Sequence, residues 1–276
     1  MSSPFIIDGR VAISFSGGRT SGMMLKLFLE AHGGTLPTDY QVVFANTGKE
    51  REETLRFVHE CGVRWGVDIA WVEWRLEGGF ERVGLNSASR NGEPFEALIE
   101  WKQYLPNWQA RWCTGFLKVE AMGAYLASLG WKPGDYREAI GLRHDEGLRL
   151  LKMYERNEKH VRQCVAPLSK AKLVKADVTA FWKEQPFDLA LKPGEGNCDL
   201  CFLKGRGLRK QLIRARPGSV EWWKAMEAKR GLWFDRRDTY AGLEAEVRNS
   251  PDLFEELDQS EDDVECGLLC GPAGDP

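Results

Sequence analysis

Two places in the chain carry residues whose types and spacing suit chemistry. The first is Ser14-Phe15-Ser16-Gly17-Gly18-Arg19-Thr20-Ser21, where an apolar, strand-like run gives way to helical spacing. Glycines let a backbone approach a phosphate closely, while hydroxyls and the free N–H groups of a helix's first turn donate to its oxygens. The Gly-Lys-Ser/Thr ending of a Walker loop is missing, so a different phosphate cradle is expected. The second place is Cys198-Asp199-Leu200-Cys201, in a loop opened by Gly194-Glu195-Gly196. Thiolates at this spacing serve zinc, an iron-sulfur cluster or a thioredoxin-like redox pair. The late position and the lack of an aromatic-Cys-Gly-Pro context make the redox pair the lesser option.

The elements that must position these residues follow from periodicity. Val11 to Phe15, Tyr40 to Ala45 and Ile69 to Trp74 read as strands, with helices at Thr20 to His32 and Glu50 to Arg64 between them. A further helix is expected from Lys118 to Leu129, strands from Tyr136 to Leu142 and Val161 to Val165, and a helix over 175–185. This βαβαβ rhythm predicts a doubly wound α/β fold, its mostly parallel sheet binding ligands at the strands' carboxyl ends. The aromatic-rich stretch Phe95 to Trp112 carries no readable motif and is expected to cover the site as a lid. Three units are expected: a nucleotide-binding α/β domain over 1–190, a cysteine-bearing, basic helical extension over 191–250, and an acidic mobile tail over 251–276.

Further short patterns accompany the loop at Ser16. Phe44-Ala45-Asn46-Thr47-Gly48 with Glu53-Thr54, Arg111-Trp112-Cys113-Thr114-Gly115-Phe116-Leu117-Lys118, and Gly141-Leu142-Arg143-His144-Asp145-Glu146 with Arg149 follow in order. The first loop resembles the pyrophosphate loop, SGGxDS, of the adenine nucleotide alpha hydrolase-like superfamily, with Thr20 in the usual Asp position. The other three resemble the DTG...ET, R-x-C-T-x-x-L-K and G-x-R-x-D-E/Q...R motifs of phosphoadenosine-phosphosulfate (PAPS) and adenylyl-sulfate reductases, with Asn46 in the Asp position. The likeness covers residues 10–205. It implies an adenine nucleotide, either ATP or a sulfonucleotide (adenylyl sulfate or PAPS), cradled by Ser14, Ser16, Gly17, Gly18, Thr20, Ser21, Asn46, Thr47, Gly48 and Gly141. Arg19, Lys118, Arg143 and Arg149 are the candidate cations for its phosphate or sulfate, because guanidinium forks match such oxygens. Asp145 would orient Arg143 or hold a metal such as Mg2+.

The same resemblance favours a 4Fe-4S cluster over zinc for the thiolates. Trp112 stands at the first position of the family's Cys-Cys pair, which leaves Cys113, Cys198 and Cys201 as ligands. Either Cys164 completes the set or the open iron binds sulfide or substrate. Cys61 reads as core. The segment Glu265-Cys266-Gly267-Leu268-Leu269-Cys270 resembles the C-terminal E-C-G-L-H segment of the reductases and makes Cys266 the candidate nucleophile, with Cys270 a second thiol. Acidic neighbours disfavour a Cys266 thiolate until the tail docks near a cation.

Composition bounds the rest. The chain has 276 residues, 38 Lys+Arg against 41 Asp+Glu, which excludes a uniformly basic nucleic-acid coat. Seven cysteines without a signal-like N-terminus argue for thiol or metal chemistry in a reducing cytoplasm. No apolar run approaches the roughly 20 residues of a spanning helix, so no membrane partner is expected. Three functions are open. A sulfonucleotide reductase would use a thioredoxin- or glutaredoxin-like reductant. An ATP-dependent sulfur transferase would act on RNA or DNA through the six basic residues between Lys204 and Arg216. A non-catalytic redox sensor, which Thr20 and Asn46 motivate, would keep only the binding. A homo-oligomer is compatible with each.

Overall fold

A computed structural model describes residues 3–196 and 198–249. Strands β1 (Arg10–Ser14), β2 (Tyr40–Ala45), β3 (Ile69–Arg75), β4 (Gly79–Val83), β5 (Tyr136–Ala139) and β6 (Gln163–Val165) form one sheet in the order β4-β3-β2-β1-β5-β6. Every pairing is parallel except that of β3 with β4. The chain thus reverses its direction of travel through the sheet at β1, with β2 on one side and β5 on the other. That reversal opens a crevice at the carboxyl ends of these strands, which is where open α/β sheets take ligands.

Alternation along the strands divides the core between the two faces. Val11, Ile13 and Phe15 pack with Met24 and Phe28 of α1 (Arg19–Ala31), Leu55 and Val58 of α2 (Glu52–Trp65), and Trp182 further along the chain. Ala12, Val43 and Val72 face the opposite way, toward Phe95, Leu98 and Ile99 of α3 (Glu93–Lys102). Cys61 is buried on α2, as a core residue should be.

The segment from Trp112 is continuous helix with a defect in it. A short α4 (Trp112–Thr114) runs through a π-helical stretch, Gly115–Glu120, into α5 (Ala121–Ser128). Single π turns inside helices concentrate at functional sites, and this one carries Lys118 beside Cys113. Past β5 come α6 (Gly147–Lys159), the short α7 (Pro167–Lys170) and α8 (Lys175–Glu184), which bears Trp182. The C-terminal part adds α9 (Arg206–Ala215), α10 (Glu221–Arg230) and α11 (Tyr240–Asn249).

These last helices share the α3-side core rather than making a separate one. Trp223, Phe234 and Tyr240 are fully buried and stack around Phe95 and one another. Each side chain of this size contributes about 1.5–3 kcal/mol by leaving water. Two expectations are corrected here. Residues 95–102 are not a lid: Phe95, Leu98 and Ile99 are wedged between the sheet and the C-terminal helices. The strand expected over 136–142 ends at Ala139, because Gly141 crosses close to the start of α1.

Glu227 of α10 holds this helical layer in register by accepting the N–H groups of Phe234 and Tyr240. Burial, only partly offset by those two hydrogen bonds, pushes its carboxyl up to about 7 from 4.5. The charged form is therefore disfavoured in the fold. Its contribution to stability is intact below pH 4.5 and is lost as pH rises through about 7, a change of roughly 3 kcal/mol at most. Urea midpoints measured across this range should fall for the native chain, while Glu227→Gln, which cannot ionise, should show a flatter profile.

Candidate functional site

The loop between β1 and α1 is shaped by its packing. Gly17 has φ +78, and a Cβ there would lie 2.6 Å from Thr54 Cγ2 and 3.1 Å from Phe44 Cε2. Only glycine meets both demands without strain. The Ser21 hydroxyl donates to the Gly18 carbonyl at 3.0 Å and accepts from the Ser16 N–H at 3.2 Å, and the Ser16 hydroxyl lies 3.0 Å from it. Gly18 is the N-cap of α1, whose first turn has no acidic residue, so its first-turn N–H groups keep their attraction for an anion. A Cβ on Gly141 would stand 3.3 Å from the Ser21 Cα, so the loop after β5 closes against the same turn.

Of the expected cations, Arg143 is built into this crevice. It is buried, donates to Thr20 Oγ1 at 3.4 Å and to Asp145 at 3.0 Å, and its backbone N–H donates to Glu146. Burial works against the Asp145 carboxylate, but hydrogen bonds from the Lys175 N–H and Arg143 outweigh it and hold its pKa below the ordinary value. Arg149 pairs with Glu146. Arg19 turns away, held by Asp188 at 2.7 Å and by the Leu189 and Leu191 carbonyls. Ser14 also lies apart from the cradle, its hydroxyl against the Met122 sulfur at 3.9 Å.

Asn46 is a structural hub. Its amide donates to the fully buried Glu73 at 2.6 Å and to the Ser89 carbonyl, while its oxygen accepts from the Gly48 N–H. Glu73 also accepts from the Ser89 N–H and hydroxyl. An amide here satisfies a buried carboxylate, which a second carboxylate in the same place would repel.

Thr47 begins the second half of the site. Its hydroxyl stands 3.4 Å from Cys198 Sγ and donates to Glu50 Oε1 at 3.3 Å. Glu50 and Cys198 pair as an isolated antiparallel bridge, and Lys49 reaches Asp199 at 3.1 Å over the Trp222 ring. Lys118 Nζ lies 3.4 Å from Glu50 Oε1. Cys113, Cys198 and Cys201 line one narrow cavity with Thr47, Lys118 and apolar walls that include Phe95, Leu117 and Trp223. Burial, followed by the Glu50 charge, pushes the Cys198 thiol well up, and burial pulls the nearby Lys204 ammonium down. Lys204 donates to the Gly194 and Gly196 carbonyls and so ties down the cysteine loop.

Cys164 is set apart from these three. It is buried on β6, paired through its backbone with Asn157, and its thiol is pushed up to about 12 by burial. Among the described residues, no three His, Cys, Asp or Glu side chains are arranged to hold a single metal ion. Cys266 and Cys270 lie outside the described residues.

Sequence reasoning missed Lys49, Glu50 and Arg51. The charged stretch predicts a helix from Glu50 to Arg64 and Lys49 carries no reading, yet α2 begins only at Glu52 and all three residues are buried. The signal available was their position, between the Asn46-Thr47-Gly48 and Glu53-Thr54 patterns. The basic run is also spent internally: Arg206 pairs with Asp238 and Glu246, Arg209 with Asp235 and Asp238, and Arg216 with Glu53. No helix among the described residues is long and apolar enough to cross a membrane.

A doubly wound sheet with a glycine-serine loop at its reversal point defines an α/β protein of the pyrophosphate-loop type. The phosphoadenosine phosphosulfate reductase domain model matches residues 10–185, and the chain belongs to that family. An uncharacterized nin region protein of Escherichia phage lambda is 30% identical over 201 residues, 70% of this chain and 65% of that protein. An uncharacterized protein of Methanocaldococcus jannaschii is 32% identical over 117 residues, 42% of this chain and 19% of its own length. The chain thus spans less than two thirds of either relative. Among solved structures, the U34-tRNA thiolase NcsA from Methanococcus maripaludis with its 4Fe-4S cluster aligns over 96% of this chain and 81% of its own. The TM-score is 0.40, with 13% identity.

Two glycine substitutions should separate the loop's role from general helix effects. Gly17→Ala meets both a left-handed φ and a side-chain clash, so it should cost about 1–3 kcal/mol and abolish any rise in Tm on adding adenine nucleotide. Gly123→Ala, inside α5 with open space around it, should instead stabilise by about 0.5–1 kcal/mol and leave the nucleotide response intact.

Proposed function

We propose that the chain reduces a sulfonucleotide, adenylyl sulfate or PAPS, to sulfite in a thiol-dependent reaction. The observation that carries this reading is the meeting of the phosphate loop and the three-thiol cavity across residues 46–54. Gly17 packs on Thr54 and Phe44, while Thr47 touches Cys198. A nucleotide phosphate on the α1 N-terminus, held also by Arg143, would present its sulfate end toward Lys118 and the cysteines. The internal pairing of Arg206, Arg209 and Arg216 also favours a small nucleotide over a nucleic acid as the substrate.

The Cys266 thiolate attacks the sulfate sulfur, a Cys–S bond forms, and the S–O bond to the nucleoside phosphate breaks with AMP or its 3'-phosphorylated form leaving. A second thiol, Cys270 or a thioredoxin- or glutaredoxin-like dithiol, then attacks the Cys266 sulfur. Sulfite leaves and a disulfide remains. Cys113, Cys198 and Cys201 suit a 4Fe-4S cluster: the donors are soft thiols, the walls are apolar, and the Lys118 and Lys204 ammonium groups lie close enough to balance thiolate charge. Such a cluster would supply a polarisable iron–sulfur face beside the sulfate end, with the Lys118 ammonium as the nearby positive charge. Zinc is the lesser option, and Mg2+ would be recruited by the phosphates rather than by Thr20 or Asn46, which lack a carboxylate.

A second reading, ATP-dependent sulfur transfer, is favoured by the intact Gly17-Gly18 pair and by a set of three cysteines from which Cys164 stands apart. There ATP would adenylate a nucleobase carbonyl and AMP would leave as sulfur enters. The two are separated by supplying labelled adenylyl sulfate and PAPS with dithiothreitol or thioredoxin, and in parallel ATP with tRNA or DNA. Sulfite should form in the first arm and cease in Cys266→Ala, and Arg143→Ala should weaken nucleotide binding by about 10–100-fold. Pyrophosphate release only in the second arm would replace the reductase with the transferase. Nucleotide binding without either product would leave a sensor.

A further inference from the structure

α6 turns an apolar stripe outward. Leu148, Leu151 and Tyr154 recur every third residue, so they are neighbours along one side of the helix, and they are 78%, 55% and 56% exposed. The helix starts at the mouth of the crevice, directly after Glu146, whose carboxylate accepts the N–H of Arg143. Lys152 and Lys159 lie on the same helix. Lys170 and Lys172 stand on the segment bound to residues 142–145, where the Ser169 N–H donates to the Leu142 carbonyl and the His144 N–H to the Leu173 carbonyl. All four lysines are exposed, and none forms an ion pair with a described residue. An exposed apolar stripe edged by cations is a surface that takes an acidic, apolar segment.

The chain itself supplies one. Its 38 Lys and Arg all precede residue 249, whereas nine of its 41 Asp and Glu fall within 252–275, so residues 1–249 are net basic although the whole chain carries -3. Asp252 to Glu265 interleaves those carboxylates with Leu253, Phe254, Leu257 and Val264. The described chain ends on the same face of the sheet as the stripe: Tyr240 and Leu243 of α11 share a core with Leu150 and Met153 of α6. Seventeen residues lead from Asn249 to Cys266. At about 3.3–3.6 Å each they reach roughly 60 Å, more than the width of about 50 Å of a domain this size. We propose that residues 252–265 dock on the α6 stripe and its lysine rim and so bring Cys266 to the mouth of the crevice, a role for Cys266 that rests on the thiol-dependent reading above. A tethered segment is present at an effective concentration of the order of mM, so exposed pairs too weak to hold a separate partner suffice for this one. The same pairing draws the acidic neighbours of Cys266 to cations, which removes their opposition to its thiolate.

The test uses the full chain as an equal mixture of unlabelled and heavy-isotope-labelled protein, treated with a carbodiimide, which joins a lysine to a carboxylate only in direct contact. Cross-linked peptides are read by mass spectrometry. Lys132, exposed ahead of β5 at the opposite end of the sheet, is the internal control. Lys152, Lys170 and Lys172 should join residues 252–265 of the same chain at least about tenfold more than Lys132 does, and the yield should collapse at about 1 M salt, where the Debye length is about 3 Å. Leu148→Ser combined with Leu151→Ser, at exposed positions and checked for folding by circular dichroism, should lower the yield about fivefold or more. Cross-links spread equally over Lys132 and the rim, or unchanged in the leucine variant, overturn the proposal. Links only between labelled and unlabelled chains assign the face to a second copy and overturn it as well. So does protection of residues 147–159 from hydrogen exchange that appears only on adding thioredoxin or tRNA. Sulfite is not the readout, so a failed docking and a failed reductase reading are told apart: Cys266→Ala, which should form no sulfite, should cross-link as the native chain does.

Discussion

The pairing of Glu50 with Cys198 joins the two halves of the site. It is a single main-chain bridge, supported by Lys49 against Asp199 and by Thr47 against the Cys198 sulfur. Through it the loop after β2, which leads into α2 where Thr54 packs against Gly17, becomes the surface on which the cysteine loop lies. Asp199 in turn accepts from the Trp223 indole, and Trp223 is a centre of the C-terminal core. The crevice at the strand ends, the thiol cavity and the helical layer therefore have a common foundation in residues 46–54.

That foundation is built from buried charge, which is an expensive material. Each ion taken from water loses several kcal/mol of hydration, and recovers it only where a partner and further hydrogen bonds are in place. Lys49 has Asp199 and the Trp222 face, Lys118 has Glu50, and Arg51 has Glu53 and Glu195. Such pairs contribute little net stability, but a shifted register would strand an unpaired charge. Burial of this kind selects one arrangement of loops over its neighbours and so fixes the phosphate-loop turn and the cysteine cavity relative to one another.

Much of the sheet was legible because its signal is local. β1, β2 and β3 are short apolar runs, and α1 and α2 show helical spacing between them. The elements that escaped reading lack this contrast. β4 is a five-residue edge strand with no buried residue, and α6 buries only Leu150 and Met153. The π-helical stretch at Gly115–Glu120 has a period that no helical template matches, and α3 has an apolar face covered by helices from more than a hundred residues later. The expected phosphate-binding residues divide in the same way. Gly17, Gly18, Ser16 and Ser21 form one turn, while Arg19 follows them in sequence and yet is drawn off to Asp188.

The sequence by itself determined where a phosphate could bind, since a glycine-serine turn at the head of a helix is a backbone property set by the residues within it. It also determined which cysteines were available. Only the tertiary structure decided that Cys164 stands apart from Cys113, Cys198 and Cys201, and that Thr47, 151 positions before Cys198, lies against its sulfur. It decided equally that Lys49, Glu50 and Arg51 are interior, although their composition is that of a surface. A charge is written in the sequence, but its burial and its partner are set by what folds over it.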